Sequence, residues 1–422
     1  MPGLDEHFMS IALEIASRGR GAVEPNPMVG AVLVREGAEL ARGWHRRFGW
    51  PHAEVEAISA AEEAGQQTGG ATMYVSLEPC CDFGPSGKKK TPPCTRAIIE
   101  AGIARVVAAM ADPDERVAGE GFAELRAAGI EVTVGVLEEQ ARELLAPYIK
   151  LRRQRRPWVI CKWAQTADGL LALPEESGAM LPRVFEGKHD LAEEGGSLSG
   201  RISSADDIPQ KHASAEDSGS MAPNRAPRRW ISCEESRRDA HVLRGRCDGI
   251  LVGIGTVLAD DPMLTNRSGA GRQPARVVLD AHLRTPPGSW LAQTARDCPV
   301  IVATTLEGLA AGPERAGALR SAGVEILKLP AATEGISLPA LLDELGNRQW
   351  TYLLVEGGAR VLRSFLHERL ADEIVVYVSP AGGGPSGGPR LDIAQVSADL
   401  PLRPVNERTI GKDHLLQFRI RQ

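Results

Sequence analysis

The sequence predicts an α/β protein with two domains. It has 422 residues, enough for two or three domains of roughly 150 residues each. Hydrophobic residues make up 43% and charged residues 25%, which is typical of a globular protein with a packed core. Both halves alternate short apolar runs, typical of buried strands, with segments of helical periodicity. This alternation indicates sheets covered by helices.

Residues 1–147 are predicted to form a helix–sheet–helix sandwich. Apolar residues at helical spacing between Phe8 and Ile15 indicate a first helix. A buried strand at 28–34 turns at 35–37 into a second strand at 39–45, which predicts a hairpin. The remaining predicted elements are strands at 71–77, 104–110 and 130–134, a helix at 53–64, and helices that start near Cys94, Gly119 and Glu138.

The basic run that follows is interpreted as a linker at 148–157. A solvated charge run is favoured over a nucleic-acid patch. The second domain, 158–422, is predicted to contain an insertion at about 174–227, because that stretch is polar, shows little apolar periodicity and is expected to be flexible. The predicted elements of this domain are strands at 158–163, 249–253, 276–280, 300–303, 324–327, 352–355 and 373–378, and helices at 233–243 and 359–368.

Composition also restricts the partners and the compartment. With 49 basic and 55 acidic residues the net charge is −6, which disfavours general binding to nucleic acid. No apolar run approaches the ~20 residues that span a bilayer, and the first residues do not resemble a secretory signal. Three of the seven cysteines lie close together in the sequence, at 80, 81 and 94, which favours a metal site over a set of disulfides. We expect a cytoplasmic protein with no membrane or nucleic-acid partner; a homo-oligomer is compatible with the sequence.

The strongest functional pattern is a set of three separated soft donors. His52 stands in Pro-His-Ala-Glu, Cys80 in Glu-Pro-Cys and Cys94 in Pro-Pro-Cys. An imidazole and two thiolates suit zinc and leave one coordination position open, as catalytic zinc sites do. The donors lie at predicted helix starts, where the helix dipole favours thiolates. Zinc brings the pKa of its water toward ~7, so this set predicts a nucleophile at neutral pH.

Glu54 is predicted to move the proton in this reaction. It lies too close to His52 to ligate the same ion comfortably, and it can pass a proton from the attacking water to a leaving amine. His-x-Glu followed by Pro-Cys resembles the signature of zinc nucleobase deaminases, although the separation from Cys80 to Cys94 is longer here. The alternatives are a closed structural site with Cys81 as fourth ligand, and buried cysteines unrelated to a metal.

Around these residues the chain resembles the deaminase half of the bifunctional riboflavin-biosynthesis deaminase–reductase family. The resemblance implies a cytidine-deaminase-like three-layer sandwich, the zinc ligands His52, Cys80 and Cys94, a catalytic Glu54, and a hydrogen bond from Asn26 to a pyrimidine. A plain turn role is the alternative for Asn26. The segments that carry the resemblance are Pro25-Asn-Pro-Met-Val-Gly, Pro51-His-Ala-Glu-Val-Glu-Ala, Leu77-Glu-Pro-Cys and Thr91-Pro-Pro-Cys. Asp82 and an enlarged loop at 85–90 depart from the family pattern.

The resemblance continues into the reductase half of the same family. It implies a dihydrofolate-reductase-like domain that uses NADPH, and convergent arginines suit the negative charges of the cofactor and of a sugar phosphate. Single arginines, read alone, are more often surface ion-pair partners. The matching segments are Trp230-Ile-Ser, Arg237-Arg-Asp, Thr256-Val-Leu-Ala-Asp-Asp-Pro-Met-Leu-Thr-Asn-Arg267 and Val355-Glu-Gly-Gly-Ala. The implied cofactor contacts are Ala164, Trp230, Thr256, Asp260 and Gly358, and the implied substrate contacts are Arg228, Arg244, Leu264, Arg267 and Glu356.

The sequence therefore predicts a bifunctional enzyme of riboflavin synthesis that requires Zn²⁺ and NADPH. The first half would remove an amine from a diaminopyrimidinone ribosyl phosphate by hydrolysis, and the second would reduce the ribosyl chain to ribityl. Two alternatives stay open. One is a deaminase that acts on a nucleoside or tRNA, which would need a basic groove with stacking aromatics. The other is an inactive zinc-stabilised scaffold, suggested by Asp82, by the insertion, and by Leu170, which stands where the family has an arginine.

Overall fold

The structure is a computed structural model that describes residues 2–81, 92–115, 118–171, 231–333, 335–380 and 390–421. The predicted insertion at 174–227 lies outside the described residues, as do Asp82, the loop at 85–90, Arg228 and Trp230. None of the helices within the described ranges combines the length and the hydropathy that a membrane span requires.

The amino-terminal part contains a five-stranded sheet in the order β2-β1-β3-β4-β5. Strand β1 is antiparallel to both β2 and β3, whereas β3, β4 and β5 are parallel. The predicted hairpin and the three further strands are confirmed. The elements are α1 (Pro2–Ala16), β1 (Gly30–Arg35), β2 (Ala38–Trp44), α2 (Ala53–Glu63), β3 (Thr72–Val75), α3 (Cys94–Glu100), β4 (Arg105–Ala108), α4 (Glu120–Ala127), β5 (Glu131–Val134) and α5 (Glu138–Gln154).

Helices cover this sheet and form one apolar core with it. Helix α1 contacts β1, β3 and α5, while α2 contacts β1, β2 and α3. Strand β1 is almost entirely buried, as its uninterrupted apolar sequence predicts. Helix α1 crosses β1 very closely at Gly30, where an added Cβ would lie 2.1 Å from the carbonyl oxygen of Ala12. The close crossing therefore requires glycine at this position.

The carboxyl-terminal part is organised around a nine-stranded sheet in the order β10-β9-β8-β7-β13-β6-β14-β16-β15. The first seven strands in this order, from β10 through β14, are parallel to their neighbours. Strand β16 pairs antiparallel with β14, and β15 pairs antiparallel with β16. The elements are β6 (Trp158–Thr166), α6 (Glu234–Arg244), β7 (Gly249–Gly253), α7 (Ile254–Asp260), β8 (Ala275–Leu279), α8 (Trp290–Gln293), β9 (Val300–Thr304), α9 (Leu306–Ala311), α10 (Pro313–Ser321), β10 (Glu325–Lys328), β11 (Ala331–Ala332), β12 (Gly335–Ile336), α11 (Leu338–Asn347), β13 (Tyr352–Val355), α12 (Ala359–His367), β14 (Glu373–Ser379), α13 (Ile393–Asp399), β15 (Leu402–Ile410) and β16 (Asp413–Ile420).

Two apolar cores lie on the two faces of this sheet. One contains residues of α6, α8 and α10 together with alternate residues of the strands, such as Ile160. The other contains residues of α11, α12 and α13 with the intervening strand residues, such as Cys161. The alternation of side chains along β6 therefore sends Ile160, Lys162 and Ala164 to the face that α6 covers.

The interpretation of 148–157 as a solvated linker is wrong for most of the segment. Helix α5 runs without a break to Gln154. Leu145, Tyr148 and Leu151 are buried at helical spacing, so one apolar face continues through the basic run. Lys150 is itself buried and forms an ion pair with Asp372 of the carboxyl-terminal part, with Nζ and Oδ2 2.5 Å apart. The basic run is therefore part of an amphipathic helix. Its residue Lys150 can be buried because its charge is paired with that of Asp372.

Candidate functional site

The three predicted zinc donors meet at one point. The ligand atoms of His52, Cys80 and Cys94 lie within 4.8 Å of one another. Nδ1 of His52 is 3.2 Å from Sγ of Cys94 and 3.5 Å from Sγ of Cys80. Cys94 is buried, whereas His52 and Cys80 are partly exposed, so the group is accessible from one side. This donor set suits zinc with an open position.

Two helix starts and one loop bring the donors together. His52 is the N-cap residue of α2, Cys94 is the first residue of α3, and these two helices contact each other. The expectation that all three donors lie at helix starts is wrong for Cys80, which lies in the loop after β3. Its carbonyl oxygen accepts a hydrogen bond from Thr95 N–H at 3.1 Å. Both helix amino termini point their N–H groups and positive dipole ends at the donors, which favours thiolates. The hydrogen bond from Cys94 lowers the pKa of Cys80, and that same bond, with burial, raises the pKa of Cys94.

Glu78 holds the Cys80 loop against α4. Its Oε2 accepts hydrogen bonds from Asp112 N–H and Gly119 N–H, and its Oε1 accepts one from Gly121 N–H at 2.9 Å. A Cβ at Gly121 would lie 2.2 Å from the carbonyl oxygen of Pro79, so this approach requires glycine. Glu78 belongs to the Glu-Pro-Cys motif, but nothing in the sequence indicates that it anchors a metal-donor loop.

Glu54 lies beside the donor group in a nearly dry position. Its side chain is 3% exposed, it lies next to the Cys94 thiol, and Oε2 has no hydrogen-bond partner among the described residues. Burial raises the pKa of Glu54 to about 7, where a carboxyl group can both take and give a proton at neutral pH. An unpartnered buried carboxylate oxygen is costly unless a bound group uses it. These residues therefore fit a zinc ion with a water ligand.

Asn26 is connected to the donor group through His45, which sequence reasoning missed. The ring of His45 stacks edge-on to His52 with centroids 5.1 Å apart. Its Nδ1 lies 3.0 Å from the carbonyl oxygen of Pro51, which can only accept, so Nε2 accepts from the Asn26 amide at 3.2 Å. This orients the Asn26 amide against His45, whose ring packs on the metal donor His52. A single histidine at a strand end carries no sequence signal strong enough to predict this role.

Cys81 does not join the donor group. It is buried, and among the described residues the group of possible ligands contains His52, Cys80 and Cys94 without it. A closed site with four protein ligands is therefore not the arrangement seen. The side formed by the partly exposed His52 and Cys80 is the one that a substrate can reach.

The predicted reductase residues gather at the carboxyl ends of three neighbouring parallel strands. Strands β7, β13 and β6 are adjacent in the sheet. Thr256 follows β7, Glu356 and Gly358 follow β13, and Ala164 lies near the end of β6. Ligands of open α/β sheets bind at this edge, where the connections leave in opposite directions. Gly358 caps α12, is exposed and has an open space where a Cβ would be, so the helix start is accessible to a phosphate.

A charged cluster lies at the same edge. Arg244 donates two hydrogen bonds to Glu356, 3.1 Å from Nε to Oε1 and 2.6 Å from NH2 to Oε2. Burial opposes ionisation, but the positive charges of Lys162 and Arg244 lower the pKa of Glu356 to about 2. Burial lowers the pKa of Lys162, whose Nζ also lies 5.5 Å from the centre of the Tyr377 ring. Lys162 was missed because a single lysine within an apolar strand gives no distinctive pattern.

The other predicted contacts are less concentrated. Asp260 is exposed at the end of α7, and Arg267 is exposed while its backbone N–H meets Nδ1 of His241 at 3.2 Å. The Leu264 side chain is 6% exposed and packs in the core, but its φ of +52° places the backbone in the left-handed region. Such a conformation in a leucine is costly and is typical of functional loops. Arg228 and Trp230 lie outside the described residues.

Two family models match consecutive parts of the chain. Residues 2–110 match the zinc-binding region of cytidine and deoxycytidylate deaminases, and residues 218–416 match the RibD C-terminal domain. The fold and the two sites thus define a two-domain enzyme that joins a zinc-dependent deaminase to an NADPH-dependent reductase. The predicted fold class and both predicted cofactors are confirmed.

Curated relatives match nearly the whole length of the chain. The riboflavin biosynthesis protein RibD of Aquifex aeolicus is 38% identical over 419 residues, 99% of this chain and 98% of the relative. That of Escherichia coli is 33% identical over 430 residues, 98% and 99% of the two chains. The chain belongs to the RibD family, and its function is riboflavin biosynthesis with deaminase and reductase activities, as predicted.

Solved structures agree over the whole chain. Acinetobacter baumannii RibD superposes with a TM-score of 0.74 at 29% identity, covering 100% of both chains. A diaminohydroxyphosphoribosylaminopyrimidine deaminase/5-amino-6-(5-phosphoribosylamino)uracil reductase from Thermotoga maritima gives a TM-score of 0.71 at 31% identity, covering 100% of this chain and 99% of its own. The similarity therefore includes both domains and their order.

Proposed function

We propose that the first domain hydrolyses the exocyclic amine of 2,5-diamino-6-(5-phosphoribosylamino)pyrimidin-4-one and that the second reduces the ribosyl chain of the product to ribityl. The observation that carries the first step is the unpartnered, buried Oε2 of Glu54 beside three converging metal donors. The Thermotoga maritima relative, whose name states these two activities, supports the choice of substrate. The division of labour we propose is 1–147 for deamination and 158–422 for reduction.

In the deaminase step the chain supplies ligands, orientation and a proton carrier. His52, Cys80 and Cys94 would hold zinc, which when bound supplies a Lewis acid that makes water a nucleophile at neutral pH. Glu54 takes the proton from the water at Oε2 and gives it to the amine, which leaves as ammonia. Asn26, oriented by His45, hydrogen-bonds an edge of the pyrimidine.

In the reductase step the chain supplies a charged cleft and a proton. NADPH, when bound, supplies the hydride to the sugar carbon. We assign its contacts to Ala164, Trp230, Thr256, Asp260 and Gly358, and those of the sugar phosphate to Arg228, Arg244, Leu264, Arg267 and Glu356. Reduction also consumes a proton, and Lys162 can give one because burial lowers its pKa. The paired Arg244 and Glu356 would orient the sugar next to it.

We also propose that the enzyme acts in the cytoplasm on a small molecule, without a nucleic-acid or membrane partner. The net charge of −6 and the small share of aromatic residues support this choice over a tRNA substrate. A homo-oligomer is compatible with the proposal.

A coupled assay tests the proposal. The purified full chain is given the diaminopyrimidinone ribosyl phosphate, and ammonia release and NADPH oxidation are followed together with zinc content. We expect about one zinc per chain and stoichiometric ammonia and NADPH turnover. Ammonia without NADPH oxidation would leave a deaminase alone, and the absence of both, with zinc bound, would indicate the inactive scaffold.

A further inference from the structure

The loop that carries Asn26 is held by residues that follow the deaminase domain in sequence. Arg272 NH2 lies 2.5 Å from Oε2 of Glu24, and its Nε donates to the carbonyl oxygen of Gly21 at 3.2 Å. Arg152, near the end of α5, donates to the carbonyl oxygen of Pro25 at 3.3 Å. Three contacts thus fix the five residues immediately before Asn26.

We propose that Arg272 is a positioning residue for deamination, so that the second domain completes the pyrimidine pocket of the first. The inference rests on the proposed role of Asn26. Glu24 is 7% exposed, and besides Arg272 it accepts a hydrogen bond from Gly21 N–H at 2.8 Å. Without the guanidinium, a buried carboxylate would lose its opposite charge and the loop would have to move to hydrate it. Asn26 lies two residues further along and would move with it.

Close backbone packing at the same place supports this dependence. Gly21 has a φ of +82°, and a Cβ added there would lie 3.1 Å from Cα of Arg246. The start of the Asn26 loop is therefore seated directly on the segment that follows α6. A small shift in this contact is transmitted to Asn26, since the loop has little space in which to relax.

Arg272 also belongs to the loop that carries Arg267, but its backbone makes those contacts. Its N–H donates to the carbonyl oxygen of Gly245 at 3.0 Å, and its carbonyl oxygen accepts from Nδ2 of Asn266 at 3.2 Å. The guanidinium contacts Asp248, whose Oδ2 is held separately by the N–H groups of Thr351 and Tyr352 at 2.8 Å. Loss of the guanidinium should therefore disturb the deaminase loop, while the backbone contacts of the reductase loop and the two N–H groups that hold Asp248 remain.

The test compares Arg272→Met with a matched control in the zinc-loaded full chain. For ammonia release we expect the KM for the pyrimidine to rise about tenfold with kcat within about threefold, because orientation is lost and the chemistry is kept. Zinc content and the KM of the reductase for the deaminated intermediate should stay unchanged. The control is Arg348→Met, which removes an ion pair with Glu325 at a similar exposure, 28% against 26%, and should change neither activity.

Two further variants separate positioning from general stability. Glu24→Gln removes the same ion pair from the deaminase side with little change in shape and should reproduce the rise in KM even if Arg272→Met fails to fold. Arg272→Lys should recover part of the loss. Unchanged deaminase KM in both Arg272→Met and Glu24→Gln, or equal losses of both activities together with a lower Tm, would overturn the inference. Failure of the wild-type chain to release ammonia would instead refute the proposed function.

Discussion

Arg244 and Glu356 form a two-point ion pair at the carboxyl edge of the large sheet, with NH2 and Oε2 2.6 Å apart. Both side chains are largely buried, at 17% and 8% exposure. Lys162 adds a second positive charge next to Glu356. The pair therefore ties the end of α6 to the end of β13 and fixes the arrangement of charges at this edge of the sheet.

This ion pair should make stability depend on pH in the acid range. The pKa of Glu356 falls from an ordinary 4.5 to about 2 on folding, so the unfolded chain takes up the proton first as the pH drops. The stabilisation is complete above pH 4.5 and is lost as the pH falls through about 2. Relative to Glu356→Gln, the wild-type free energy of unfolding should decrease by on the order of 3 kcal/mol over this range.

Urea unfolding of both proteins at a series of pH values checks this. The difference between their pH slopes isolates residue 356, because every other carboxyl group is shared. Parallel pH profiles for the wild type and Glu356→Gln would contradict the depressed pKa.

Removing Lys150 should destabilise the protein far more than removing an exposed basic residue. Lys150 and Asp372 are 7% and 1% exposed, and Oδ2 of Asp372 also accepts from Val159 N–H at 2.7 Å. Lys150→Met leaves a buried carboxylate without its charge partner and should lower the free energy of unfolding by about 3 kcal/mol. Lys150→Met combined with Asp372→Asn should recover part of this loss.

The control for Lys150 is Arg238→Met, whose ion pair with Glu234 on α6 is exposed at 73% and 63%. Arg238→Met should change the free energy of unfolding by no more than about 0.5 kcal/mol. Chemical denaturation followed by circular dichroism measures all three variants. Equal effects of Lys150→Met and Arg238→Met would show that burial of the first pair does not matter.

Glu54→Gln should keep zinc and abolish ammonia release. The amide has nearly the same shape but cannot carry the proton, so kcat should fall at least about 100-fold. Glu56→Gln on the same helix, which removes a carboxylate paired with Arg46 at 2.8 Å, serves as the control and should stay near wild type. Metal analysis and a continuous ammonia assay are the measurements; near-normal turnover by Glu54→Gln would refute its role.

Loss of zinc should separate the two activities. Cys94→Ser or a chelator removes a donor or the ion itself, and the first domain then lacks its nucleophile. NADPH oxidation should continue when the deaminated intermediate is supplied, because the charged cluster at Arg244 and Glu356 contains none of the metal donors. The measurement is NADPH absorbance with each substrate in turn. Parallel loss of both activities would indicate that zinc also maintains the second domain.

Most of the regular structure follows from local sequence patterns. Strands β7 and β13 have the predicted bounds because short apolar runs between polar turns indicate buried strands. Helix α11 was missed although its signals are present: Leu338, Leu341, Leu342 and Leu345 recur at helical spacing after the capping residue Ser337. The hairpin of β15 and β16 was missed because β15 is largely exposed and shows no clear alternation.

The sequence by itself determined the donor set of the metal site, because an imidazole, two thiolates and a nearby carboxylate suit zinc with an open position and a proton carrier beside it. Only the tertiary structure decided which charges are buried and which are paired. Lys150 meets Asp372 222 positions away, and Arg272 meets Glu24 248 positions away. A charged residue shows its sign in the sequence, but its partner depends on which segments the fold brings together. The electrostatic energy of a pair depends on the distance in space between the two charges and on their burial, not on their separation along the sequence.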